Sequence, residues 1–291
     1  MKSKLWQVFD ELQKDNYAKD LSPKTIETYD YSLTRTLREL DARGISEPSG
    51  INDEFISGFK YKLRKANLQN ESVNSFLKAL RRYLNFSYQK GYIRSVPKVE
   101  LIRLEEKIKP TLTMQEVKLI LESCDLSVPS VMCILYLGTG IRSRTMCHIR
   151  VEDSDLEAQL LTCKVTKNRK ILTLPLTNSL CDMLKAYIEK HNKIAGEWLF
   201  VNAIGRQFYQ KPMYKTINSH YKSLGINRTG VHLLRHTFGK LMVMNKCDAF
   251  TLMHWFGHSK TEETKRYVNL FANELAKTVE TFNPTANCKF V

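Results

Sequence analysis

The chain has 291 residues, 43% hydrophobic and 26% charged, a composition ordinary for a globular protein and a length that suits two domains rather than one small core. Its 45 Lys and Arg against 30 Asp and Glu give a net charge of +15, which favours a polyanionic partner, nucleic acid first, over solvated lysines without a role. No run approaches the ~18 apolar residues of a membrane helix, and the amphipathic N-terminus lacks the apolar centre of a signal peptide.

In chain order, Leu5, Val8, Phe9 and Leu12 form a helical stripe over Leu5–Tyr17. Ser22 and Pro23 then cap and open a helix whose face is Ile26, Tyr29, Leu33, Leu37 and Leu40. Gly44 and Pro48–Gly50 break it. Asn52 or Asp53 caps a third helix through Phe55, Phe59 and Leu63, and Ser72–Tyr88 makes a fourth. Residues 1–94 therefore read as a helical bundle, and Ser95–Lys109, with its Pro and alternating charge, as a linker. Divided there, both parts carry more Lys and Arg than Asp and Glu, as a two-part clamp on a polyanion would.

Residues 110–291 read as a mixed unit. Thr113 and Glu116 have the spacing of a capping box over a helix Met114–Ser123. An apolar helix Val131–Leu137 ends at Gly138–Gly140, and another follows Arg142 to about His148. Leu160–Val165 and Lys170–Leu174 form a β-hairpin around the turn Thr166–Arg169. Helices resume at Asn178–His191, Tyr209–Leu224, His232–Met244 and Phe250–Phe256, with a last one through Lys265–Leu270; Trp198–Gly205 is loop or short strand. Seven cysteines, an odd number without a CxxC, read as small apolar residues of a reducing compartment, and the expected place is the cytoplasm, at the nucleoid.

Four segments offer groups directed at phosphate. In LGTGIRSRT (Leu137–Thr145) two glycines deliver Arg142 to the start of a helix. Lys167 stands at the hairpin tip, where an ammonium can protonate a leaving oxygen; Lys164, Arg169 and Lys170 compete with it. VHLLRHTFG (Val231–Gly239) sets His232 and Arg235 at helical i, i+3 spacing, so both can point one way, while His236 is a packing candidate. GHSKTEETKRY (Gly257–Tyr267) places His258 nine residues before Tyr267. Arginine forks clamp phosphate oxygens, histidine moves protons, and a tyrosine hydroxyl can attack. His232/His236 and His254/His258, each at i, i+4, form a rival four-histidine metal site. The arginine inside the first pair and the lack of a joining carboxylate speak against it, so no metal and no cofactor are expected.

Together these residues resemble the tyrosine recombinase (phage-integrase-type, Xer-like) family. TGIR matches its first arginine, KNRKILTLPL its lysine turn and strand, HLLRHT its His-x-x-Arg-His box, and GHSKTEETKRYV its Gly-His…Tyr box; LSPKTIETY resembles, more loosely, the start of its SAM-like helical core-binding domain. One position departs: three residues after Arg142 the family usually has an acid, and here stands Thr145, so a different brace for Arg142 is expected. The resemblance implies a mainly α protein with a small antiparallel sheet in the catalytic domain, acting as a site-specific recombinase on double-stranded DNA. Tyr267 would form a 3′-phosphotyrosyl link and release a 5′-hydroxyl without metal or ATP; Arg142, Arg235, His232 and His258 would hold the phosphate, and Lys167 would protonate the leaving oxygen. It further implies a homotetramer on DNA. The tail Leu270–Phe282 packs on a neighbour or on its own domain, and the short N-terminal part favours inverted-repeat core sites, as for an integrase or a dimer resolvase. A type IB topoisomerase and a non-catalytic DNA-binding protein are the alternatives.

Overall fold

Ser22 and Asn52 show how the first helices are set. In the computed structural model, which describes residues 2–105, 109–166 and 170–257, the Ser22 hydroxyl accepts from Thr25 N at 3.2 Å and Pro23 takes the first helical position. Asn52, rather than Asp53, caps the third helix by accepting from Phe55 N at 2.9 Å. The chain divides into two units, residues 1–107 and 108–291.

The first unit holds α1 (Lys4–Ala18), α2 (Pro23–Ala42), α3 (Asp53–Lys65) and α4 (Asn70–Gln89). Their apolar faces meet in one core that includes Leu5, Leu12, Leu33, Leu37, Phe59 and Leu80; each such side chain contributes roughly 1.5–3 kcal/mol by leaving water. Tyr83 is fully buried and donates to Leu5 O at 2.9 Å, so its hydroxyl bolts α4 to α1. Arg82 adds an ion pair with Asp15 and bonds to Asn16 Oδ1. The segment expected as a linker from Ser95 is not free at its start. Val99 is buried against this core, Arg81 donates to Val99 O, and the Asn74 side chain both donates to Ile102 O and accepts from Ile102 N at 2.8 Å.

The second unit holds α5 (Met114–Glu122), α6 (Val128–Thr139), α7 (Ser143–Met146), β1 (Ser154–Asp155), β2 (Leu160–Cys163), β3 (Leu172–Pro175), α8 (Asn178–Lys190), α9 (Gln210–Ser223), α10 (His232–Met244) and α11 (Ala249–Trp255). The capping box forms: Glu116 N donates to Thr113 Oγ1 at 3.2 Å and Thr113 N to Glu116 Oε2 at 2.8 Å. α6 starts before the expected Val131, because Pro129 sits in its first turn, where proline is tolerated. Its residues Ser130–Leu137 are all buried, as befits a helix apolar on every side, and α5, α8, α9 and α10 pack around it. β2 and β3 pair antiparallel in the register Leu161↔Leu174 and Cys163↔Leu172, and β1, too short to show in the sequence pattern, adds a third strand beside β2. Leu199 and Phe200 are buried, and this stretch makes isolated bridges from Trp198 to Arg150 and from Val201 to Gln207. The cysteines among the described residues are free thiols, and no described helix is long and apolar enough to cross a membrane.

Candidate active site

The buried α6 ends by turning away. Gly140 adopts φ +59°, its N–H reaches back to Tyr136 O at 2.8 Å, and Arg142 follows as the extended residue before α7. A Cβ at Gly140 would stand 2.4 Å from the Phe238 ring and 2.7 Å from the Phe256 ring, so only glycine lets α6, α10 and α11 close here.

Arg235, on α10, is 6% exposed. It donates through Nη1 to Gly140 O and through Nη2 to Phe256 O at 3.3 Å, and its guanidinium lies 4.1 Å from the Phe256 ring centroid. The carbonyls satisfy buried donors, and the ring fixes the plane of the fork. Trp255 Nε1 donates to Thr139 O at 3.0 Å, which ties α11 to the end of α6. A Cβ built at Gly257 would lie 3.6 Å from Arg142 Nη1. The two arginines, 93 residues apart in the chain, thus flank the Phe256–Gly257 peptide.

His232 opens α10 with one side in water and the other packed. Burial first, then the charges of Arg235 and Arg142, hold its imidazole below the ordinary value of 6.5, so it stays neutral near pH 7 and can accept a proton. His236, one turn on, is pushed down to about 4 by burial, with His232, Arg235 and Lys109 adding to it. A cluster that disfavours further positive charge is one that an anion would relieve.

Arg142, His232 and Arg235 are therefore brought together. Lys167, His258 and Tyr267 lie outside the described residues. Of the competitors for the lysine role, Lys164 is paired at 2.6 Å with the buried Asp153, which raises its pKa and answers an otherwise lone carboxylate oxygen. Thr145 is buried in α7, while the residue held from outside that turn is Ser143, whose Oγ accepts from the Tyr214 hydroxyl at 3.2 Å. Ser143 lies within LGTGIRSRT but is given no role there, and Tyr214 and Phe256 read only as parts of helices.

A basic helical unit followed by a unit that gathers arginine and histidine around a turn defines a phosphate-directed, nucleic-acid-handling class. Residues 110–274 match the profile of the phage integrase family, and residues 12–91 that of the phage integrase N-terminal SAM-like domain. The chain belongs to the phage integrase family. It is 29% identical over 268 residues to a tyrosine recombinase XerA of Thermococcus onnurineus (strain NA1), covering 89% of each chain. Its fold resembles that of a XerH site-specific recombinase bound to a palindromic difH substrate in a post-cleavage complex, with a TM-score of 0.74 and 18% identity over 95% of this chain and 84% of that one. It also resembles a lambda integrase tetramer bound to a Holliday junction, with a TM-score of 0.71 and 17% identity over 90% and 76% of the respective chains.

Proposed function

We propose that the protein is a site-specific DNA recombinase that cuts and rejoins double-stranded DNA through a 3′-phosphotyrosyl intermediate. The observation that carries this is the convergence of Arg142, Arg235 and His232 beside Gly257, the residue directly before the His258…Tyr267 stretch. Tyr267 Oη attacks the phosphorus; the Oη–P bond forms, the P–O5′ bond breaks, and Lys167 supplies the proton that leaves with the 5′-oxygen. His232, neutral near pH 7, takes the tyrosine proton. Arg142 and Arg235, with His258, meet the non-bridging oxygens as charge builds on the five-coordinate phosphorus. The phosphate ester bond is conserved in the intermediate, so the exchange needs no external energy source.

Residues 1–94 and 110–291 act as two basic parts on the same duplex, at a core site with inverted repeats. Four protomers assemble to exchange strands between two duplexes. The exposed Phe250 and Met244 near the junction of α10 and α11 suit an apolar partner such as the tail Leu270–Phe282.

The test is covalent trapping. Wild-type protein incubated with fragmented DNA should leave DNA attached through denaturing electrophoresis, and Tyr267→Phe should leave none. Adducts formed by the variant, or none by the wild type, would overturn the assignment. Sequencing the trapped DNA gives the site.

A further inference from the structure

One side chain outside the sequence motifs touches both His232 and the residue after Arg142. Tyr214 follows Met213 on α9, and Met213 is fully buried, its sulfur 3.6 Å from both the Tyr136 hydroxyl and the Cys147 thiol. That anchor holds Tyr214, half-buried, at the edge of the same core. Its hydroxyl donates to Ser143 Oγ at 3.2 Å, and Ser143, 2% exposed, is the residue after Arg142. Its ring meets the His232 imidazole edge-to-face, with centroids 6.4 Å apart and planes at 74°. Segments far apart in sequence are thereby spanned by one residue.

We propose that Tyr214 is a positioning residue for DNA cleavage: its hydroxyl sets Arg142 through Ser143, and its ring sets and shields His232. This rests on the recombinase reading above. A phosphate clamp tolerates little error, since misplacement by about 1 Å can cost a hundredfold in rate. Arg142 is held by the short turn of α7, whose first residue Tyr214 pins. His232 is faced by Arg142, by Arg235 and His236 of its own helix, and by Tyr214 of α9. Burial of its packed side, then Arg235 and Arg142, disfavour its charged form.

Hydroxyl and ring act on different partners, so two variants separate them. Cleavage is followed in single turnover on a nicked duplex carrying the site recovered from wild-type adducts, across roughly pH 5–9. His232 is titrated separately by imidazole NMR in the free protein. Tyr214→Phe should slow adduct formation about tenfold at every pH, the loss of one positioning hydrogen bond, with DNA affinity and the His232 titration unchanged. Ser143→Ala should give the same loss, and the double variant no further one. Tyr214→Leu should in addition uncover the packed side of His232, moving its titration up toward 6.5 and carrying the acid limb of the rate profile with it. Wild-type rates in Tyr214→Phe, additive losses in the double variant, or an unmoved His232 in a folded Tyr214→Leu would each overturn the proposal. If Tyr214→Leu does not fold, Tyr214→Phe and Ser143→Ala decide. A wild type that forms no adduct would instead sink the recombinase reading, and the NMR titration would still report on Tyr214 and His232.

Discussion

Arg235 is a cation almost out of water, and its surroundings explain how that is tolerated. Two main-chain carbonyls and a phenyl face replace the lost hydration. Lysine cannot reproduce this, having a point charge and no plane. Arg235→Lys should therefore lose roughly 1–3 kcal/mol of stability by leaving a buried carbonyl unpaired, and about a hundredfold or more in adduct formation. Thermal unfolding and trapping measure the two effects, and a variant with wild-type cleavage would remove Arg235 from the phosphate. His236 makes a second case. With a folded value of about 4 against 6.5 unfolded, the unfolded chain binds a proton that the folded one refuses, so its contribution is intact above pH 6.5 and is lost as the pH falls toward 4. The loss is at most about 3 kcal/mol, less where the ring still meets water. His236→Gln should flatten the decline in unfolding free energy over that window, and an unchanged slope would refute the assignment. The grouping of Arg142, Arg235 and His232 was legible in the sequence because few residue types suit a phosphate, and the fold brings those three together. Phe256, Ser143 and Tyr214 were not, since what they do depends on neighbours that only folding supplies.

Among the elements, the ends matter more than the middles. Gly140→Ala places a methyl inside two aromatic rings at a left-handed φ and moves the carbonyl that holds Arg235. A destabilisation of about 1–3 kcal/mol with loss of trapping is expected, read by denaturant unfolding. A tolerated alanine would mean that α10 and α11 can separate there without consequence. In the first unit, Asn74→Ala removes both bonds to Ile102. Trypsin should then cut faster at the exposed Arg103, while the helices themselves resist. Most helices could be located from apolar spacing and caps, since Ser22, Thr113 and the stripe of α4 act locally. The early start of α6 was hidden because proline reads as a breaker until its place in the first turn is known. β1 was hidden because two residues carry no period. The hold of α4 on residues 99–102 was hidden because the Arg81 and Asn74 side chains reach main-chain groups there, and the one buried side chain at Val99 makes no period.

At the scale of the whole chain, charge and division act together. Two units, each with its own core, share a net charge of +15. Binding to a duplex should depend steeply on salt: a clamp on roughly six to ten phosphates loses about 10³- to 10⁵-fold in affinity between 50 and 200 mM. Fluorescence anisotropy on a labelled duplex measures the slope, and a flat response would argue against a clamp. The order of the parts along the chain has another consequence, in time rather than space. Arg235 leans on Gly140, made 95 residues earlier, and on Phe256, made 21 residues later. At about 5–20 residues per second, the ribosome needs roughly 6 to 23 s to pass from one partner to the other. For that interval the nascent protein holds its first arginine without the ring and carbonyl that complete the seat of the second. The pocket that seats Arg235 can therefore close only once Phe256 has been made.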